Sequence, residues 1–91
     1  MPKSTTEIGA FLRRLRDKST FTTEEVGKRV GMSADMIRNY ERGHTKPNLG
    51  RFAILLHFYD PKGEYTQEAY KLLMVPFLEL FGKMHGVKHG N

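Results

Sequence analysis

Residues 21–47 read FTTEEVGKRVGMSADMIRNYERGHTKP, and the punctuation of this stretch decides the fold. Thr22 and Glu25 have the spacing of a capping box, in which a hydroxyl and a carboxylate each satisfy an orphaned backbone N–H at a helix start. Phe21 before that cap and Val26 at the fourth helical position have the spacing of a hydrophobic staple. Gly31 suits the left-handed conformation that ends a helix. Ser33 then serves as a second N-cap, with Met32 before it and Ile37 at the staple position. Gly43 closes the second helix, and Pro47 blocks an unbroken run into the next. The stretch predicts helices over 23–30 and 34–42 joined by a tight turn, a helix-turn-helix.

Outward from this pair, Ser4-Thr5-Thr6-Glu7 is another capping box, opening a first helix that runs to about Lys18. Ile8, Phe11, Leu12 and Leu15 recur at i, i+3, i+4 and i+7 and form its buried stripe. Asn48 caps a fourth helix running to about Tyr59. Leu49, Phe52, Ala53 and Leu56 form one apolar stripe on it, and Ile54, Leu55 and Phe58 a second. Such a helix needs covering on two sides, by the C-terminal segment or by a second subunit, and His57 is expected to be half-buried in that packing. Asp60-Pro61-Lys62-Gly63 is a turn, and Thr66 is expected to cap a fifth helix. Pro76 either kinks that helix or opens a sixth. The expected architecture is all-α: a bundle of five to six helices forming one domain over 1–84, the motif-bearing helices over 4–59, a C-terminal helical segment over 64–84, and a flexible tail over 85–91.

Ninety-one residues suit one small domain with a modest core. The absence of cysteine removes disulfides and thiolate zinc sites. No run approaches the roughly 20 apolar residues of a membrane span, and MPKSTTE lacks the basic-then-apolar pattern of a signal peptide. Charge is unevenly spread. Residues 1–51 hold 11 Lys/Arg against 6 Asp/Glu, whereas residues 52–91 hold 4 of each, so the whole net +5 lies on the half with the helix-turn-helix. That asymmetry is the footprint of a phosphate-binding surface, although a plain solvated basic face has the same composition. Catalytic signatures are missing. There is no Gly-rich loop ending in Lys-Ser or Lys-Thr and no His-Glu-x-x-His. Gly31-Met32-Ser33 begins like a nucleophile elbow, but position 35 is Asp where that turn needs Gly. No catalytic residue, cofactor, metal or small-molecule substrate is expected.

The pattern resembles the Cro and phage-repressor (XRE-type) helix-turn-helix family. That family's run is a Leu-Arg-x-x-Arg helix, Leu-Thr-Gln-Glu-Glu-Leu-Ala, Gly-Val-Ser, Ile-Ser-x-x-Glu-x-Gly and a Pro. This chain offers Leu15-Arg16, Phe21 to Gly27, Gly31-Met32-Ser33, Ile37, Tyr40-Glu41-Arg42-Gly43 and Pro47, and the likeness covers residues 7–59. It implies a lambda-repressor-like bundle and a DNA-binding transcriptional regulator, most often a repressor. It also implies an ion pair between Arg16 and Glu41 that braces the first helix against the third. Gly27 stands where the family usually has Ala, and Thr23 where it usually has a Gln that touches a phosphate and braces the recognition helix.

Ala34, Asp35, Arg38, Asn39 and Arg42 share one helix face, as a helix lying in a major groove requires. Arg38 has the fork that grips guanine O6 and N7, Asn39 the amide that matches adenine, and Asp35 an acceptor for cytosine N4, while Ala34 offers a methyl. Thr22, Thr23, Arg42, His44, Thr45 and Lys46 are the candidate phosphate contacts. The expected partner is double-stranded DNA, an inverted repeat read by a homodimer that pairs through its C-terminal helices. The expected setting is cytoplasmic, bacterial or phage-encoded, and nucleoid-associated. A second reading is a non-catalytic protein-interaction or antitoxin-like module working through those same C-terminal helices.

Overall fold

The computed structural model describes the backbone of residues 7–85 and the side-chain surroundings of residues 7–74. Its described elements are α1 (Glu7–Ser19), α2 (Thr23–Val30), α3 (Ala34–Arg42), α4 (Leu49–Tyr59) and α5 (Thr66–His85), all helical. Ser4, the expected cap of the first helix, and residues 86–91 of the expected tail lie outside the described residues, and His85 ends α5.

The caps of the central pair form as their chemistry dictates. Thr22 Oγ1 accepts from the Glu25 N–H at 3.1 Å, and Glu25 Oε1 accepts from the Thr22 N–H at 2.9 Å. Ser33 Oγ accepts from the Met36 N–H at 3.0 Å, and Asn48 Oδ1 from the Arg51 N–H at 2.8 Å. Gly31 and Gly43 take φ of 74° and 80°, the left-handed region where a Cβ is disfavoured. Thr20, which follows α1, occupies the same region at φ 65° without being glycine, an uncommon state for a β-branched residue.

One core joins all five helices. Phe11, Leu12 and Leu15 come from α1, Val26 from α2, and Met32 from the turn. Ile37 and Tyr40 come from α3, Phe52 and Leu55 from α4, and Ala69 from α5. On α4 the buried face is drawn differently from the two stripes expected. Phe52 and Leu55 are inside, with Leu56 and Tyr59 partly so, taking members from both stripes. Leu49 and Ile54 are 69% and 49% exposed, and His57 is exposed and not half-buried. The reason is geometric: the bundle offers α4 one flank, so a helix apolar nearly all round buries only the residues facing it. Thr66 is likewise not a cap. It is the first residue of α5, and the buried Asp60 carboxylate accepts from the N–H groups of Glu64 and Tyr65, both at 2.8 Å, to hold the turn. At Pro76 the backbone does not open a sixth helix but continues as a single helix over 20 residues.

Two glycines allow close backbone crossings. A Cβ on Gly9 would lie 2.4 Å from the Tyr40 carbonyl oxygen and 2.8 Å from that of Glu41, so α1 presses directly on the end of α3. A Cβ on Gly27 would lie 2.4 Å from the Met32 carbonyl oxygen. What Gly27 clears is therefore the backbone of the turn, where the alanine usual in the family would press on a carbonyl. Overpacking against backbone typically costs about 1–3 kcal/mol, more than the ~1 kcal/mol of helix propensity that alanine returns. Gly9→Ala is accordingly expected to lower the urea midpoint of unfolding. A midpoint at or above that of the native chain would show that α1 and α3 are not so closely apposed.

Candidate nucleic-acid interface

The placement of α3 depends on one guanidinium. Arg16, in the last turn of α1, donates from Nε to Glu41 Oε2 at 2.6 Å and from Nη2 to Glu41 Oε1 at 2.9 Å. Its Nη1 donates to the Phe21 carbonyl at 3.1 Å. The side chains are only 15% and 5% exposed. The hydrogen bonds to Glu41 raise the Arg16 pKa above its ordinary value, although burial opposes this. The buried Tyr59 hydroxyl has no hydrogen-bond partner among the described residues. Burial, and secondarily the charge of Glu41, push its pKa above the ordinary tyrosine range. Removing one member of such a pair strands the other charge in a poorly solvated site. Glu41→Gln is expected to reduce stability by about 3 kcal/mol, measured by denaturant titration, whereas a loss within experimental error would demote the pair to decoration.

With α3 held this way, its Arg38, Glu41 and Arg42 line one side of an open cleft of about 450 Å³. The end of α1, the start of α2 and α3 bound it, with Arg13, Arg16, Arg38 and Arg42 around it. Asp35 and Arg42 are exposed, Ala34 and Asn39 half-buried, and His44, Thr45 and Lys46 exposed in the following loop. The Asn39 carbonyl shapes that loop by accepting from the His44 N–H at 2.9 Å and the Thr45 N–H at 3.4 Å. Its side-chain amide makes no hydrogen bond among the described residues and stays available.

Arg38 is occupied. Its Nη1 donates to Thr23 Oγ1 at 2.8 Å and to Glu24 Oε2 at 3.3 Å, and its Nη2 donates to Asp35 Oδ1 at 2.7 Å. The bonds to Asp35 and then to Glu24 raise the Arg38 pKa. Thr23 differs from its expected role as a phosphate contact. It is 7% exposed, and its hydroxyl lies between Arg38 and Glu24, bracing α2 to α3. Its short side chain cannot do this and also reach outward, and Thr22 is the exposed hydroxyl of the two. Glu24 was not expected at the site; its position in the first turn of α2, with Arg38 across the turn, needs the tertiary fold to be seen.

The Glu24 carboxyl titrates below its ordinary 4.5 because its own backbone N–H, then Arg38 and Thr23, bond the charged form. A depressed acid adds stability above its unfolded pKa and loses it as pH falls through the folded value. NMR titration is expected to place the Glu24 midpoint below the usual glutamate range. In Arg38→Ala it should move up only part of the way, since the backbone bond persists. An unmoved midpoint would mean that Arg38 does not hold Glu24 in solution.

A braced pair of helices with the second turned to solvent beside a basic loop is the architecture of a DNA-binding helix-turn-helix unit. Over residues 7–68 the chain matches a family model described as a helix-turn-helix domain, and it belongs to that family of XRE-like DNA-binding domains. No curated protein and no solved structure matches it.

Proposed function

We propose that this chain is a sequence-specific transcriptional regulator, a repressor, that lays α3 in the major groove of an inverted-repeat operator as a homodimer. The observation that carries this reading is the continuous outward face of Asp35, Arg38, Asn39 and Arg42, running into the exposed His44-Thr45-Lys46 loop. Thr22, Arg42, His44, Thr45 and Lys46 contact phosphates and set register, while Arg38, Asn39, Asp35 and the Ala34 methyl meet base edges. No catalytic step is assigned to any of them. Among the described residues no helix is long and apolar enough to cross a membrane, and none of the His, Asp and Glu side chains cluster to hold a metal ion.

The exposed Ile54 and Tyr70, 49% and 61% accessible, give the C-terminal helices an uncovered apolar surface that a second copy would bury. To read an inverted repeat, the two recognition helices of the dimer stand about 34 Å apart, one turn of duplex, or a multiple of it. The same two side chains favour the second reading, in which α4 and α5 dock another protein and DNA is secondary.

Selection from random duplexes separates the two readings. The expected product is a symmetric site bound by two chains, with affinity falling steeply in salt at a slope near −0.9 per phosphate neutralised. Arg38→Ala should cost about 1–3 kcal/mol on that site and less on mixed-sequence DNA. A flat salt response with no enriched sequence would favour the docking module, and one chain per duplex would remove the inverted repeat.

A further inference from the structure

Arg38 stands at the centre of the α3 face, yet three of its five N–H groups are already committed to Thr23, Glu24 and Asp35. Arg42 and Lys46 at the edge of the face are exposed and make no ion pair among the described residues. The peripheral cations are thus open to any phosphate, while the central one is withheld. Glu24 and Asp35 are themselves well exposed, 67% and 85%, so their hold on Arg38 is reversible in water.

We infer that Glu24 and Asp35 are specificity determinants that withhold Arg38 from DNA until a G·C base pair replaces both halves of the Arg38–Asp35 pair. The inference rests on the DNA-binding reading above. A G·C edge in the major groove presents guanine O6 and N7 as acceptors and cytosine N4 as a donor. Arg38 released from Asp35 finds the first two, and Asp35 released from Arg38 finds the third, so both members of that pair are paired again, while the exposed Glu24 gives up its bond to water. A phosphate can take Arg38 but has nothing to offer the two carboxylates and repels them. Wherever the register places no G·C pair in this orientation against Arg38 and Asp35, Arg38 stays where it is, and the peripheral cations alone carry binding.

The test uses the full chain with two probes at one salt concentration, a duplex selected from a random pool and a mixed-sequence duplex. Glu24→Gln and Asp35→Asn should each tighten binding to the mixed-sequence duplex, by up to roughly tenfold near 0.1 M salt, and steepen its salt slope by about 0.9 as Arg38 gains a phosphate. The ratio between the two probes should shrink. Plain charge repulsion would also tighten binding, so the deciding measurement repeats both substitutions in an Arg38→Ala background. Withholding requires the gain to shrink when Arg38 is absent. Repulsion alone requires it to persist or grow, because the carboxylates then lack their counter-charge, and that result overturns the inference while leaving DNA binding intact. A native chain that binds neither duplex in dilute buffer fails the DNA reading itself, and this inference with it.

Discussion

The arrangement hangs on the Arg16 guanidinium, which ties together three segments distant in sequence. Two of its N–H groups grip Glu41 at the end of α3, and a third reaches the carbonyl of Phe21, the residue immediately before the cap of α2. One planar group therefore ties the last turn of α1 to the residue before the α2 cap and to the end of α3. A lysine has no fork and could not make this set of contacts. The pair survives its desolvation because each charged atom has a well-placed partner. Gly9 provides the complementary condition, letting α1 rest against the carbonyls of Tyr40 and Glu41 so that Glu41 comes within reach of Arg16.

Arg16 and Arg38 are the same chemical group, each paired with carboxylate, and burial separates their roles. The Arg16–Glu41 pair is 15% and 5% exposed, so water and salt weaken it far less. Around Arg38 the side chains are 35%, 67% and 85% exposed, so water and salt weaken those bonds and a competing acceptor can replace them. The first pair belongs to the scaffold; the second is a contact that can be traded. Between them sits Thr23, buried like the scaffold but bonded to the exchangeable arginine. It links the rigidity of one to the orientation of the other.

Helix α4 shows the limit of patterning. Its mean composition is apolar almost all round, and such a helix carries no information about which flank meets the bundle. Phe52 and Leu55 went inward, while Leu49 and Ile54 were left in water. Those exposed apolar side chains are why a second subunit enters the proposed function on this face.

Local chemistry was enough to read α2, α3 and α4 and the caps that open them, though not the start of α5, where Thr66 was expected to be the cap. Caps such as Thr22, Ser33 and Asn48, and the left-handed glycines Gly31 and Gly43, act through neighbours a few residues away, so their effects are written in short-range spacing. The Arg16–Glu41 contact was visible only through resemblance to a family, because nothing in spacing alone joins residues 25 apart. The outward face of α3 was legible from helical periodicity, but what each of its side chains touches was not. Only the folded chain decided that Thr23 turns inward, that Glu24 joins the site, that Asp60 holds its turn, and that Arg38 is already engaged. Each of these depends on how helices cross, and crossing is settled by the packing of whole surfaces against one another.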